Sequence, residues 1–343
     1  MSNIVQFKAL IFLEGEMYKK TLFFFMIVFA CAACNPVGTD IESTKITLPS
    51  PAPTNNKTPT QIQASVTSEP TYNPAVLEYS FSLDKEVVNV FWNEDGSMSL
   101  FYQFTFSNDP QNIPIDFVDV YVPSQDYDFE HISAEINGQV INHIEESTFF
   151  PGAVEFGLGE NEIPAGATSE VLIQISNING VLFSEPSDDG VINAVFFPSW
   201  FGEEFLYGNT NITVIFHLPQ SVKVEEAIWH HPPPGWPAEP IVGESEHGRI
   251  TFTWQNGTAK GYSSYLFGIS FPKDHVPESS IMLPEQLDPM IAVAYFIRGV
   301  GYESIGLYEL SLADLAMAIA LDPNKFCYLS KEYSELECLL IGN

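Results

Sequence analysis

The chain has 343 residues, 45% of them hydrophobic, with only 13 Lys+Arg against 44 Asp+Glu. The net charge of -31 repels a phosphate backbone and excludes a nucleic-acid binder, and it argues equally against docking by basic patches on anionic lipid. The 27 Phe, 14 Tyr and 25 Pro fit a body rich in strands and loops better than a helical one.

Residues 1–34 read as an address. Lys19 and Lys20 precede the apolar run Thr21–Ala30 and the small residues around Cys31-Ala-Ala-Cys34. A positive patch, a short apolar run and a small-residue cleavage point make a secretory signal. The run is shorter than the roughly 20 residues that span a bilayer. Ala32-Ala33-Cys34 resembles the lipobox of bacterial lipoproteins, in which the cysteine is lipidated and becomes the first residue of the mature chain. Cys31 departs from the usual leucine of that motif. The resemblance implies a lipid on Cys34, a membrane attachment, and a place on the extracytoplasmic side of a bacterial cell envelope. An ordinary cleaved signal with incidental cysteines is the alternative.

Residues 35–75 are rich in Pro, Thr and Ser. They hold too few apolar side chains to offset chain entropy, and so read as a disordered tether.

Residues 76–278 read as an acidic all-β body. Strands are expected over Val76–Leu83, Glu86–Trp92 and, after the Asn93–Gly96 turn, Ser97–Phe106. In the last of these, Met98, Leu100, Tyr102, Phe104 and Phe106 alternate with polar residues, the mark of a strand buried on one face. Ile115–Val122, His131–Ile136, Gln139–Ile144, Glu170–Ser176, Val181–Phe183 and Val191–Phe197 follow. Asn211–Leu218, Lys223–Trp229, Arg249–Gln255 and Ser264–Phe271 complete the series. About a dozen short strands with Gly, Pro and Asn turns predict one β-sandwich or two in tandem.

Motifs for chemistry are scarce. There is no His-Glu-x-x-His, no Gly-x-Ser-x-Gly, no phosphate-binding Gly-rich loop, and no cysteine in the body. Trp229-His230-His231-Pro-Pro-Pro-Gly-Trp236 and Phe196-Phe-Pro-Ser-Trp200-Phe201 are the two unusual segments. If exposed, Trp200, Trp229, His230 and Trp236 would form a ligand platform suited to a glycan. If packed on the sheet they are core and corner. No cofactor motif is present. The acidic body attracts cations, and Asp126 with Asp128, or Glu185, Asp188 and Asp189, could offer oxygen to calcium, although neither set matches a loop motif. Asp116 and Asp119 are close in sequence, but a strand would aim them at opposite faces.

Residues 279–343 change character. After Pro284 and Pro289, residues 291–324 show helical period and carry Tyr295, Gly299, Tyr302, Gly306-Leu-Tyr308, Ser311, Leu315, Ala318 and Asp322-Pro323-Asn324 at spacings that match one family's repeat. This stretch resembles a single tetratricopeptide repeat covering about a tenth of the chain. Arg298 and Ser311 depart from the family's usual Leu and Ala. The resemblance implies a helical hairpin in which Tyr295, Gly299, Tyr302, Tyr308, Leu315 and Ala318 pack, Pro323 closes the unit, and a protein partner is engaged. Residues 330–341 could cap the hairpin through Leu336, Leu339 and Leu340. Cys327 and Cys338 lie too far apart to bond within one helix, but could form a disulfide if the chain turns back between them.

These readings converge on a lipid-anchored, extracytoplasmic, non-catalytic protein-binding or assembly module, with carbohydrate binding by the β body as the alternative. An enzyme is not expected. A hydrolase with carboxylates hidden in the acidic excess is the third possibility.

Overall fold

The computed structural model describes residues 79–326, apart from 186, 187, 284, 285 and 324 and the side chain of 189. The expected mainly β body with a C-terminal helical hairpin is what the chain forms. Among the described residues, sixteen strands make three sheets.

The first sheet has eight strands. Its middle is β1 (Phe81–Trp92), β2 (Met98–Asn108), β8 (Thr168–Ile178) and β11 (Thr210–His217), and β1 and β11 run parallel. One side continues through β14 (Ile250–Ala259) to the edge strand β13 (Ile241–Glu244). The other continues through β4 (Ile132–Ile136) to β5 (Gln139–Ile141). The five alternate apolar residues expected on β2 are all buried.

The two strands expected at 76–83 and 86–92 are one. The pairing of β1 with β2 slips between Leu83 and Lys85. That bulge adds one residue and switches the parity of the strand. Phe81 and Leu83 before it, and Glu86, Val88, Val90 and Trp92 after it, are therefore all buried.

Against this sheet lie two smaller ones. The five-stranded sheet runs β12 (Ile228–Trp229), β15 (Phe267–Pro272), β10 (Asp188–Phe196), β9 (Leu182–Glu185) and β16 (Ile281–Met282). The three-stranded sheet is β3 (Phe117–Tyr121), β7 (Ala153–Gly157) and β6 (His143–Glu146). Side chains of all three sheets form one apolar core. The expected sandwich thus has one broad layer facing a divided one. Most of the strand expected at 223–229 is instead a 3-10 turn at Val224–Glu226, leaving only the two residues of β12.

The hairpin is α1 (Pro289–Ser304) and α2 (Tyr308–Leu321). Asp288 caps α1 by accepting from the Met290 N–H at 2.8 Å, with Pro289 in the first turn, where its missing N–H costs nothing. Gly306, at φ +81°, supplies the left-handed residue between the helices. The change of composition near 279 marks the passage from strands to helices, and the two parts share a second core. Phe183, Val195, Phe197 and Leu266 of the body meet Ile291, Ala292, Tyr295, Ala318 and Ile319 of the hairpin there. The five-stranded sheet is consequently buried on both faces. Along β10, Ile192, Ala194 and Phe196 enter the first core while Val195 enters the second.

Candidate functional site

The three-stranded sheet carries a row of carboxylates. Asp119 of β3 sits opposite Glu155 of β7, which sits opposite Glu145 of β6. Facing residues on neighbouring strands project to the same side, so all three acids share one face. The opposite face, with Val118, Val120, Val154 and Phe156, belongs to the core. Like charges placed directly opposite one another repel. Burial pushes the Asp119 carboxyl up to about 7; the Ser147 hydroxyl opposes that shift and Glu155 adds to it. Glu155 is also raised, by burial first and then by Glu145, against the opposing pull of His143. Glu145 is exposed, and its Oε1 lies 3.3 Å from His143 Nε2.

The neighbouring row is Phe117, Gly157 and His143. A Cβ on Gly157 would stand 2.5 Å from His143 Nδ1, so the glycine is what lets the imidazole lie across β7. Asp116 precedes β3 and is exposed. Its charge still reaches the row, contributing to the rise at Glu155.

A second polar arrangement lies on the hairpin side of the five-stranded sheet. The Ser270 hydroxyl donates to Asn193 Oδ1 at 2.7 Å, and Asn193 Nδ2 donates to Glu185 Oε2 at 2.8 Å. His230 Nε2 is 2.7 Å from Ser270 Oγ. The single proton of Ser270 is committed to Asn193, so His230 must donate from Nε2. Burial, then the charges of Arg298 and His231, push the His230 imidazole down to about 3 and keep it neutral. His230 therefore orients Ser270 without taking its proton, and the chain is a directed polar brace.

The platform expected from Trp200, Trp229, His230 and Trp236 does not assemble. Trp200 is half-buried in a cluster with Tyr121, Phe150 and Phe197. Trp236 is buried, edge-on to Tyr265 and Phe267. Of the three tryptophans only Trp229 is exposed, at 38%. Large rings next to an apolar sheet gain more from burial than from display. The proline run is clamped by the Tyr302 hydroxyl, whose single proton is shared between the carbonyls of His231 (2.8 Å) and Pro232 (2.6 Å).

In the hairpin, Tyr295, Tyr302 and Ala318 are buried and Leu315 is half-buried. A Cβ on Gly299 would meet Asp314 Cβ and Leu315 Cγ at 3.2 Å, so this glycine lies where the helices touch. Tyr308 is 65% exposed and does not pack as expected, because it opens α2 on the outward side of the turn. Arg298, which departed from the repeat pattern, is the main polar link of the hairpin. Its Nε and Nη2 donate to Asp314 Oδ2 and Oδ1 at 2.6 and 2.8 Å, and its Nη1 donates to the Leu266 carbonyl at 2.9 Å. Cys34, Cys327, Cys338 and residues 330–341 lie outside the described residues.

Of the carboxylates considered for calcium, two are engaged in turns and Glu185 accepts from Asn193. Asp128 Oδ1 accepts from the Glu130 N–H and Asp188 Oδ1 from the Gly190 N–H. Among the described residues, no three His, Cys, Asp or Glu side chains come together as a metal-ligating group.

No family model matches the chain, and no curated protein matches it. Solved structures do. An M1 zinc metallopeptidase from Deinococcus radiodurans is 14% identical with a TM-score of 0.36, over 57% of this chain and 43% of that one. A point mutant of that metallopeptidase, bound to a Tyr-Ser-Ala substrate, matches over 56% and 43%, with the same identity and TM-score. Aminopeptidase A of Legionella pneumophila in complex with aspartic acid is 10% identical with a TM-score of 0.32, over 57% of this chain and 21% of that one. The chain thus spans less than half the length of each. The expectations of a non-catalytic binding or assembly module, of carbohydrate binding, and of a protein that is not an enzyme are corrected here, since the solved structures it is similar to are peptidases. At these scores no residue role is carried over. The described residues offer no zinc-ligand set.

Proposed function

We propose that the protein is a hydrolase working by carboxyl acid–base chemistry, held on the outer side of a bacterial membrane by a lipid on Cys34. The observation that carries the catalytic part is the register row Asp119–Glu155–Glu145 on one face of the three-stranded sheet. Strands lie about 4.8 Å apart, so the outer two acids stand roughly 10 Å apart at the backbone with Glu155 between them, and a scissile group and its water would lie over the row. Asp119, with its pKa near 7, is the proton donor to the leaving group. Glu145, on the exposed strand beside His143, receives the proton of the attacking water. The lipobox-like Ala32-Ala33-Cys34 and the Pro/Thr/Ser-rich tether support the anchored location. In this reading the hairpin is one tetratricopeptide-like pair given over to bracing the five-stranded sheet.

A screen of chromogenic ester, amide, glycoside and phosphoester substrates tests the reaction. Turnover is expected to fall as pH rises through about 7, because the acid must carry its proton. An Asp119→Asn variant should lose activity by about 10²–10⁴-fold. Absence of turnover between pH 5 and 8, or full activity in Asp119→Asn, overturns the reading. The anchor is tested separately: labelled palmitate should enter the wild-type protein and not a Cys34→Ala variant. Label that survives the substitution overturns the anchor alone.

A further inference from the structure

Two serines of the body meet a histidine, and their protons run opposite ways. At Ser270 the proton goes to Asn193, and His230 is the donor. At Ser221 the partner is His275, with Oγ 2.9 Å from Nδ1. On the other side of that ring, His275 Nε2 lies 3.4 Å from Glu226 Oε2. A carboxylate only accepts, so Glu226 holds the imidazole proton on Nε2 and leaves Nδ1 its lone pair. The Ser221 hydroxyl then donates to Nδ1. Serine, histidine and carboxylate stand as nucleophile, base and orienting group. The His275–Glu226 distance exceeds that of an ordinary hydrogen bond, and this is the contact that tightens once the imidazole gains charge.

The fold fixes each member beside a buried anchor. Ser221 follows β11 in a turn closed by the Val222 N–H on the Pro219 carbonyl at 3.0 Å. The Gln220 N–H donates to Glu94 Oε1 at 2.7 Å, which ties this turn to the one between β1 and β2. Glu226 ends the 3-10 turn Val224–Glu226, and the Lys223 N–H donates to its Oε2 at 2.9 Å. Val222 and Ala227, both buried, pin this segment at either end. His275 ends the 3-10 turn Lys273–His275 that follows β15, and its neighbour Val276 is buried. The imidazole stands edge-on to buried Phe271, with centroids 6.5 Å apart. Ser221 itself is exposed, so an incoming carbonyl can reach it. Ser221 and His275 are 54 positions apart, so no local motif announces the pair.

We infer that Ser221, His275 and Glu226 form a nucleophilic centre, separate from the carboxylate row, that hydrolyses small uncharged carboxylic esters. Ser221 Oγ attacks the ester carbonyl carbon and passes its proton to His275 Nδ1. The new C–O bond forms as the carbonyl electron pair moves onto oxygen. When that pair returns, the bond to the alkoxy group breaks, and the Nδ1 proton goes to the departing oxygen. Water then attacks the acyl-serine and gives a proton to Nδ1, which returns one to Ser221 Oγ as the acid leaves. Ester and water become acid and alcohol. His275 is the base, and Glu226 is a positioning residue that keeps Nδ1 unprotonated. The substrate class follows from the surroundings. Ser221 lies on an open turn, and Val224, three positions on, is 48% exposed and offers a short acyl chain an apolar contact. The net charge of -31 repels an anionic ester.

The test treats the full chain with a fluorophosphonate probe, which bonds to serines that a base activates. One adduct is expected, mapped by mass spectrometry to Ser221 and absent from Ser221→Ala. A row of carboxyls gives no such adduct, so the result does not depend on Asp119. His275→Gln should slow the labelling by about 10²-fold or more. With p-nitrophenyl acetate as substrate, Glu226→Gln should lower kcat while KM holds within about twofold, and Glu226→Asp should recover part of the loss. No adduct, an adduct on another serine, or wild-type labelling in His275→Gln overturns the inference. An unchanged kcat in Glu226→Gln overturns the role given to Glu226. Ser221 is an exposed turn residue, so Ser221→Ala keeps the fold and decides the matter even if His275→Gln does not fold.

Discussion

An Arg298→Leu variant should lose about 3–5 kcal/mol of folding stability, the usual cost of stranding one member of a buried ion pair. Arg298 and Asp314 are 5% and 6% exposed, so the abandoned carboxylate has no water to turn to. The Leu266 carbonyl loses its donor at the same time. Replacing both charges, Arg298→Met with Asp314→Leu, should recover most of the loss, because two apolar side chains suit the site better than one unpaired charge. The form of the transition is as informative as its midpoint. The guanidinium joins α1, α2 and the residue preceding β15, and the second core mixes hairpin and sheet side chains. Calorimetry should therefore show one transition moving down as a whole. A separate helical transition that falls while a β transition stays in place would mean that the hairpin is an independent unit and that Leu266 is an incidental contact.

How much of this was legible in the sequence depends on the distance over which each signal acts. The alternation in β2 is local, and it reads correctly because every second residue meets the same core. The bulge in β1 is also local, yet it hides itself: switching parity at Asp84 makes one strand look like two separated by a gap. The Asp119–Glu155–Glu145 row cannot be read along the chain. It is a register across three strands, and Ala153–Gly157 between them is only five residues long. Arg298 and Asp314 are sixteen positions apart, on two helices. The visible hint was Arg298 alone, an arginine where the repeat usually has Leu; its partner Asp314 gave no signal of its own, and only the hairpin brings the two together. The aromatic segments left two readings open for a physical reason. Tryptophans near prolines can be displayed or packed, and only the neighbouring sheet decides which.

A Glu86→Gln variant should be more stable than the wild type at neutral pH, with an advantage that grows as pH rises. Glu86 lies on the inner face of β1, fully buried, and neither carboxyl oxygen has a hydrogen-bond partner. Burial raises its pKa well above the usual carboxylate range, and the backbone amide of Ser199 approaches closely enough only to moderate the rise. Its polar surroundings are sparse: buried Tyr102 contributes a hydroxyl that accepts from Ser199 Oγ at 3.4 Å. The sign follows from linkage. Below about pH 4 the carboxyl is protonated in both folded and unfolded chains and contributes no pH dependence. Above that, the unfolded chain ionises while the folded chain does not, so the unfolded state gains. Each further pH unit costs the folded protein about 1.4 kcal/mol, until pH passes the raised folded value. Glutamine has nearly the same shape and no charge to release, so it removes this component and leaves the contributions of the other acids in place. Urea unfolding of both proteins at pH 4.5, 6 and 7.5 isolates Glu86 as the difference between them. A difference that widens by several kcal/mol over that range fits a carboxyl held neutral in the core. A difference independent of pH would mean that Glu86 ionises in the folded protein as readily as in the unfolded one, through water or a cation reaching between the sheets.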